Sequence, residues 1–163
     1  MYGIDLSDRR RSSSVAAVQC ATQPWVEDPA TGGSFMLLQV DRLSGLWVVR
    51  SRFGPGTVVE QHLHSGSVTA VTLAGSWGYP ELGVRCGAGD YLVEEAGTVH
   101  TLVVHGEERV DIVFSILGSI TYFHHDGTVS RIEDWRSVLD EYEEGCASQG
   151  LPAQVIGSSL HRQ

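Results

Sequence analysis

An all-β sandwich or barrel, followed by one C-terminal helix, is the fold this chain predicts. Three observations predict it. From Ser34 onward, short apolar runs arrive at nearly regular spacing. Glycine, present 19 times, stands at most of the joints between them. Near residue 130 the apolar period changes from two to between three and four.

The elements follow in order. Residues 1–20 contain RRRSSS and little apolar periodicity, and read as a mobile tail ahead of a single domain over 21–163. SFMLLQV and LWVVRSRF are strands joined by the turn chemistry of DRLSG. A Gly-Pro-Gly turn then leads into the strand that carries His62 and His64. VTAVTL, WGYPEL, YLVEEAG, TVHTLVVH and ERVDIVFSIL continue the series, with AGS and the glycine-rich GVRCGAGD between them. Ser130 and Glu133 have the spacing of a capping box. Ile132, Trp135, Val138, Leu139, Tyr142 and Cys146 then recur on one helical face, and Gly150 and Pro152 end it, so a helix is predicted over about 131–149.

At 163 residues the chain suits one domain with a sizeable core. Its formal net charge of -9 excludes a broad nucleic-acid surface, which needs clustered basic residues. Cys20, Cys86 and Cys146 are far apart, odd in number and without a CxxC pair, which predicts free thiols. No apolar run approaches the ~20 residues of a membrane span. No signal-peptide core is evident at the N-terminus. A cytoplasmic protein is expected.

His62 and His64 are the chemically informative pair. In a strand, residues i and i+2 share a face about 6.6 Å apart. Both rings can then address one atom at ~2.0–2.1 Å from a nitrogen. Two ligands rarely suffice, and His100, in the apolar strand after the Ala96-Gly97 turn, is the candidate third. A lone buried histidine would read as a hydrogen-bonded core residue. An HxH pair with a third histidine on a later strand reads as a metal site.

These residues carry a resemblance. Gly56 followed by His62-x-His64 resembles the first cupin motif, and Gly89 followed by Gly97-Thr-Val-His100 resembles the second. That implies a double-stranded β-helix, or jelly roll, with a metal on His62, His64 and His100. Three positions depart from the pattern. Val68 and Thr69 stand where the first motif carries a glutamate, Glu95 where the second carries a proline, and Val104 at its terminal asparagine. More narrowly, GLWVVRSRFGPGTVVEQHLHSGSVTAVTLAGSWGYPE, GDYLVEEAGTVHTLVV and HDGTVSRIEDW are similar to the 2,4′-dihydroxyacetophenone dioxygenase family, over about residues 24–153. The resemblance implies non-haem iron, O2 as co-substrate, and cleavage of a C–C bond beside a carbonyl in a small hydroxyketone or related enolisable aromatic compound. Zinc, nickel or manganese on the same histidines would instead serve an isomerase, cyclase or decarboxylase. A cupin that only binds a small ligand is the third reading. Cupins of this type commonly pair, so a homodimer is expected.

The missing glutamate raises the question of a fourth ligand. If Ala74-Gly75-Ser76 is a three-residue hairpin loop, Thr69 lies opposite Glu81 and both face inward with Trp77 and Tyr79. Glu81 is then the candidate catalytic base. A two-residue loop reverses the parity and makes it a surface carboxylate. On the inward reading Thr69, Trp77, Tyr79, Leu102 and Val104 line the substrate site or are simply barrel core; on the other, Trp77 and Tyr79 turn outward with Glu81. Arg50 could hold a carboxylate or enolate oxygen, or lie outside in an ion pair. His105, the His124-His125-Asp126-Gly127 turn, Cys86 and the acidic run Glu141 to Glu144 are set aside as strand end, turn, inert thiol and wet helix face.

Overall fold

The computed structural model describes residues 15–158. Most of the predicted tail lies outside the described residues. The strands are β1 (Val26–Asp28), β2 (Gly33–Asp41), β3 (Leu46–Phe53), β4 (Val58–His64), β5 (Val68–Ala74), β6 (Ser76–Tyr79), β7 (Val84–Gly87), β8 (Tyr91–Glu94), β9 (Val99–His105), β10 (Val110–Leu117), β11 (Ile120–Phe123) and β12 (Val129–Glu133). One helix, α1 (Trp135–Ser148), follows, as the fold class predicted.

The strands form two six-stranded antiparallel sheets, ordered β1-β2-β3-β10-β5-β8 and β12-β11-β4-β9-β6-β7. Their inner faces meet as a jelly roll. Trp47, Val49, Ser51 and Phe53 alternate inward along β3, and Val110, Ile112, Phe114 and Ile116 along β10. Val59, Leu102 and Val104 answer them from the other sheet.

The expected hairpin between β5 and β6 does not form. β5 pairs with β10 and β8, whereas β6 pairs with β9 and β7. The chain changes sheet at Gly75, whose φ of 75° is open to glycine and strained for other residues. A Cβ there would come within 2.8 Å of the Arg109 carbonyl.

The helix start also differs from expectation. Ser130 to Glu133 belong to β12, where Glu133 pairs with Ile120 of β11 and Ile132 is exposed. The cap is Asp134, whose carboxylate accepts from the N–H groups of Arg136 and Ser137, while the Ser137 hydroxyl accepts from the Asp134 N–H. Two consecutive segments, 130–133 and 134–137, carry cap spacing, and strand pairing claims the first.

Val138, Leu139, Tyr142 and Cys146 form the buried face of α1. The helix bridges the two sheet edges, packing on β1 and β2 on one side and β12 on the other. The Tyr142 hydroxyl donates to the Pro24 carbonyl at 2.9 Å, and Gln149 donates to that of Trp25 at 2.9 Å. At Gly145 the approach is so close that a Cβ would lie 2.3 Å from a Val26 methyl. Among the described residues, no helix is long and apolar enough to cross a membrane.

Candidate metal centre

His62 and His64 reach the interior through a fault in β4. Val59 pairs with Leu102 and His62 with His100, so three steps along β4 match two along β9. Simple alternation from the buried Val59 would turn Gln61 and Leu63 inward and both histidines outward. The bulge leaves Glu60 and Gln61 exposed together and restores His62 and His64 to the inner face. It also brings the Glu60 carbonyl within 2.7 Å of His62 Nδ1, which donates to it and leaves Nε2 free as a ligand. Deleting Gln61 should straighten the strand with both rings still inward, weakening metal binding about tenfold through loss of that orienting bond. Deleting Leu63 should turn His64 outward and abolish binding. Metal content of the two variants checks this.

His62, His64 and His100 place nitrogens within 4.8 Å of one another, and all three residues are buried. The His62 ring stands nearly perpendicular to its two neighbours, at centroid distances of 4.9 and 4.7 Å. A fourth group completes the cluster. Glu94, at the end of β8, puts Oε2 3.2 Å from Nε2 of both His64 and His100.

These contacts are not ion pairs, because burial removes the charges. Burial, followed by the neighbouring imidazoles, pushes His64 down to about 3. Burial and then His62 push His100 down to about 4, and burial also lowers His62. Burial raises Glu94 to about 7, although the hydrogen bond from Tyr79 works the other way. Glu94 Oε2, His64 Nδ1 and both His100 nitrogens have no hydrogen-bond partner. Buried polar atoms are rarely left so. Neutral imidazoles and a carboxyl oxygen converging without a hydrogen bond between them are the donor set of a divalent transition metal, which displaces the carboxyl proton. The 3.2 Å separations are near the ~3.0 Å expected of two ligands at right angles on one such ion. The residues present fit a metal.

Tyr79 braces the cluster. Its ring stacks on His100 with centroids 3.7 Å apart and planes 17° from parallel, and its hydroxyl donates to Glu94 Oε1 at 2.5 Å. Behind it, Trp77 packs edge-on against Tyr79 and donates from Nε1 to the Thr72 hydroxyl at 2.8 Å. On the opposite side, Tyr122 of β11 pairs with His62, and its hydroxyl donates to Glu133 at 2.9 Å.

A cavity of about 110 Å³ opens onto His62, His64, Tyr79 and Glu94. Phe35, Trp47, Phe53, Leu102, Phe114 and Tyr122 supply much of its wall. Tyr79 and Leu102 thus border it, whereas Trp77 and Val104 are buried behind it.

Three expected positions need correction. Thr69 lies on the outer side of β5, because Val68, Ala70 and Thr72 take the buried face. Its neighbours are Val93 and Ser115, not Glu81. Glu81 sits exposed on a short 3-10 helix, Pro80–Leu82, that follows β6. Burial is the largest single influence on its carboxyl and pulls it up, but hydrogen bonds from Thr101 and its own backbone, with His100, together hold it below the usual range. An exposed and more acidic carboxylate is a poor base. Arg50 points away from the cavity and forms a two-bond pair with Asp111 at 2.7 and 2.8 Å, with Arg52 joining at 2.8 Å. The Arg52 guanidinium lies 3.8 Å from the Trp25 ring centroid. Glu94 and Tyr122 had no role in the sequence-based expectations, and Glu133 only that of a helix cap. Alternation in YLVEEAG held the signal for Glu94, since exposed Tyr91 and Val93 put Leu92 and Glu94 on the other face.

A family model for the ChrR cupin-like domain matches residues 13–120. The chain belongs to that cupin family. A protein of unknown function with a cupin-like fold from Ralstonia eutropha is 25% identical, with a TM-score of 0.82 over 93% of this chain and 97% of its own. An acetylacetone dioxygenase from Acinetobacter johnsonii shares the fold at 16% identity, with a TM-score of 0.74 over 83% of this chain and 96% of its own. The polyketide cyclase RemF from Streptomyces resistomycificus shares it more distantly, at 13% identity and a TM-score of 0.53 over 81% and 99%. No curated protein sequence matches this cupin.

Proposed function

We propose that this cupin is a metal-dependent dioxygenase that uses O2 to cleave a C–C bond beside the carbonyl of a small enolisable ketone. The observation that carries the reading is Glu94. It is a buried carboxyl group, at once beside the histidine cluster and on the wall of an apolar cavity. A fold shared with an acetylacetone dioxygenase supports it. So does the similarity of the histidine motifs to dihydroxyacetophenone dioxygenases.

His62, His64 and His100 would hold the metal, which is iron in this reading. When bound, it would supply Lewis acidity toward a carbonyl oxygen and a redox-active centre through which electrons pass from the enolate to O2. The remaining work falls to the protein. Glu94, ionised beside the metal, accepts the proton from the carbon next to the carbonyl as a buried general base. Tyr79 holds that carboxylate in place through Oε1 and keeps Oε2 directed at the histidines. The aromatic and aliphatic walls exclude water and stack against a flat substrate. Size limits the choice: the cavity is of the same order as the roughly 150 Å³ void that accepts benzene. One ring or a short diketone fits; a fused polycyclic chain does not.

The test starts with anaerobic purification without added metal and elemental analysis. About one iron per chain is expected, together with oxygen uptake when acetylacetone or 2,4′-dihydroxyacetophenone is added. Stoichiometric zinc or nickel, with no uptake after iron loading, would overturn the dioxygenase and leave a non-redox cyclase or isomerase on the same residues.

A further inference from the structure

Solvent meets the cavity along one part of its wall. The lining side chains from the middle of both sheets are buried. Asp28, Thr31, Ser34 and Glu133 are half-buried, and Glu141 is exposed. The mouth therefore lies between the β1–β2 turn, the end of β12 and α1. Among the described residues, each accessible lining residue is polar, three are carboxylates, and neither Lys nor Arg is among them.

The three carboxylates differ in their engagement. Asp28 is occupied by its own turn, accepting from the Ala30 N–H at 2.9 Å and the Thr31 hydroxyl at 2.6 Å. Glu133 accepts from Tyr122 and, at 3.0 Å, from Arg131, which also bonds Glu60. Glu141 feels like charge: partial burial, then Glu133 and Asp28, raise its pKa, with Arg131 the opposing influence. The acidic run on α1 is thus not wholly a solvated face. At the inner end of the same cavity, Glu94 is 5% exposed and its Oε2 has no hydrogen-bond partner.

We propose that this rim is a charge filter: the cavity admits ketones whose end remote from the histidines is uncharged or cationic, and rejects those that carry a carboxylate there. The inference rests on the cavity being the substrate site of the proposed reaction. A carboxylate seated among Asp28, Glu133 and Glu141 would meet like charges with no cation on the wall to pair it, in a partly desolvated setting where such repulsion is strong. A hydroxyl, amide or ammonium group would meet acceptors.

Para-acetylbenzamide and para-acetylbenzoate share shape and differ in charge. Their binding to the full-length protein, with and without metal, can be followed by calorimetry at about pH 8, where the carboxyl groups ionise. The amide should bind about tenfold more tightly. Glu141→Gln should narrow the gap several-fold, Glu141→Arg should close or reverse it, and added salt should shrink it. Equal affinities in the unaltered protein, a gap indifferent to both substitutions, or binding of neither probe would overturn the filter. Charge discrimination that persists without ketone-dependent oxygen uptake would remove the dioxygenase reading alone. Uptake without discrimination would remove the filter alone.

Discussion

His100→Ala is expected to give a folded protein that no longer holds a metal. The imidazole is fully buried, and neither nitrogen has a hydrogen-bond partner. Its removal loses the stack on Tyr79 but also removes two unsatisfied polar atoms, so the costs offset to within ~2 kcal/mol. Metal affinity, by contrast, should fall at least ~100-fold, because three neutral nitrogens become two. Thermal scans separate the effects. Metal at about 100 times its dissociation constant should raise the unaltered protein's stability by about 2.7 kcal/mol and leave His100→Ala unmoved. A variant that still purifies with stoichiometric metal would remove His100 from the centre.

Glu94→Gln is expected to abolish turnover while retaining metal, with a loss of about 100-fold to 10,000-fold. The pH dependence gives a second readout. The histidines sit well below their ordinary range, so between about pH 5 and 7 they are already free of protons and compete little with a metal. Glu94, raised to about 7, still holds a proton there. A nearby cation favours its ionised form, so metal binding expels that proton, and affinity should fall about tenfold per pH unit below 7. In Glu94→Gln the affinity should be flat over the same interval. Stability of the metal-free fold has the opposite sign for this group. A raised carboxyl binds its proton more tightly when folded, so its contribution is present in mild acid and is lost as pH rises through about 7. Full turnover in Glu94→Gln would remove Glu94 as the base.

The fold class was legible because the sheets bury one face each, and their alternation shows in segments such as LWVVRSRF. The metal cluster was legible because histidine pairs at strand spacing are rare without a reason. Strand pairing was not. Nothing local in VTAVTLAGSWGY tells whether Gly75 closes a hairpin or carries the chain across to the other sheet. That ambiguity misplaced Thr69 and Glu81. Glu94 escaped because two adjacent glutamates look like a solvated strand end until the neighbours' parity is followed. The bulge in β4 was also unreadable, since Val59, His62 and His64 cannot share a face under simple alternation. Asp111 explains Arg50, yet the two lie on strands 61 positions apart in sequence.

The match to the family ends at residue 120, past His62, Tyr79, Glu94 and His100 but short of Tyr122, Glu133, Val138 and Glu141. The side of the entrance built by β12 and α1 is thus encoded apart from the histidines and Glu94, whereas the β1–β2 turn lies within the matched stretch. Mutation can drift through the segment that bridges the two sheet edges without disturbing the histidines. Substitutions on the exposed side of that helix can therefore reshape the entrance while the histidine cluster stays as it is.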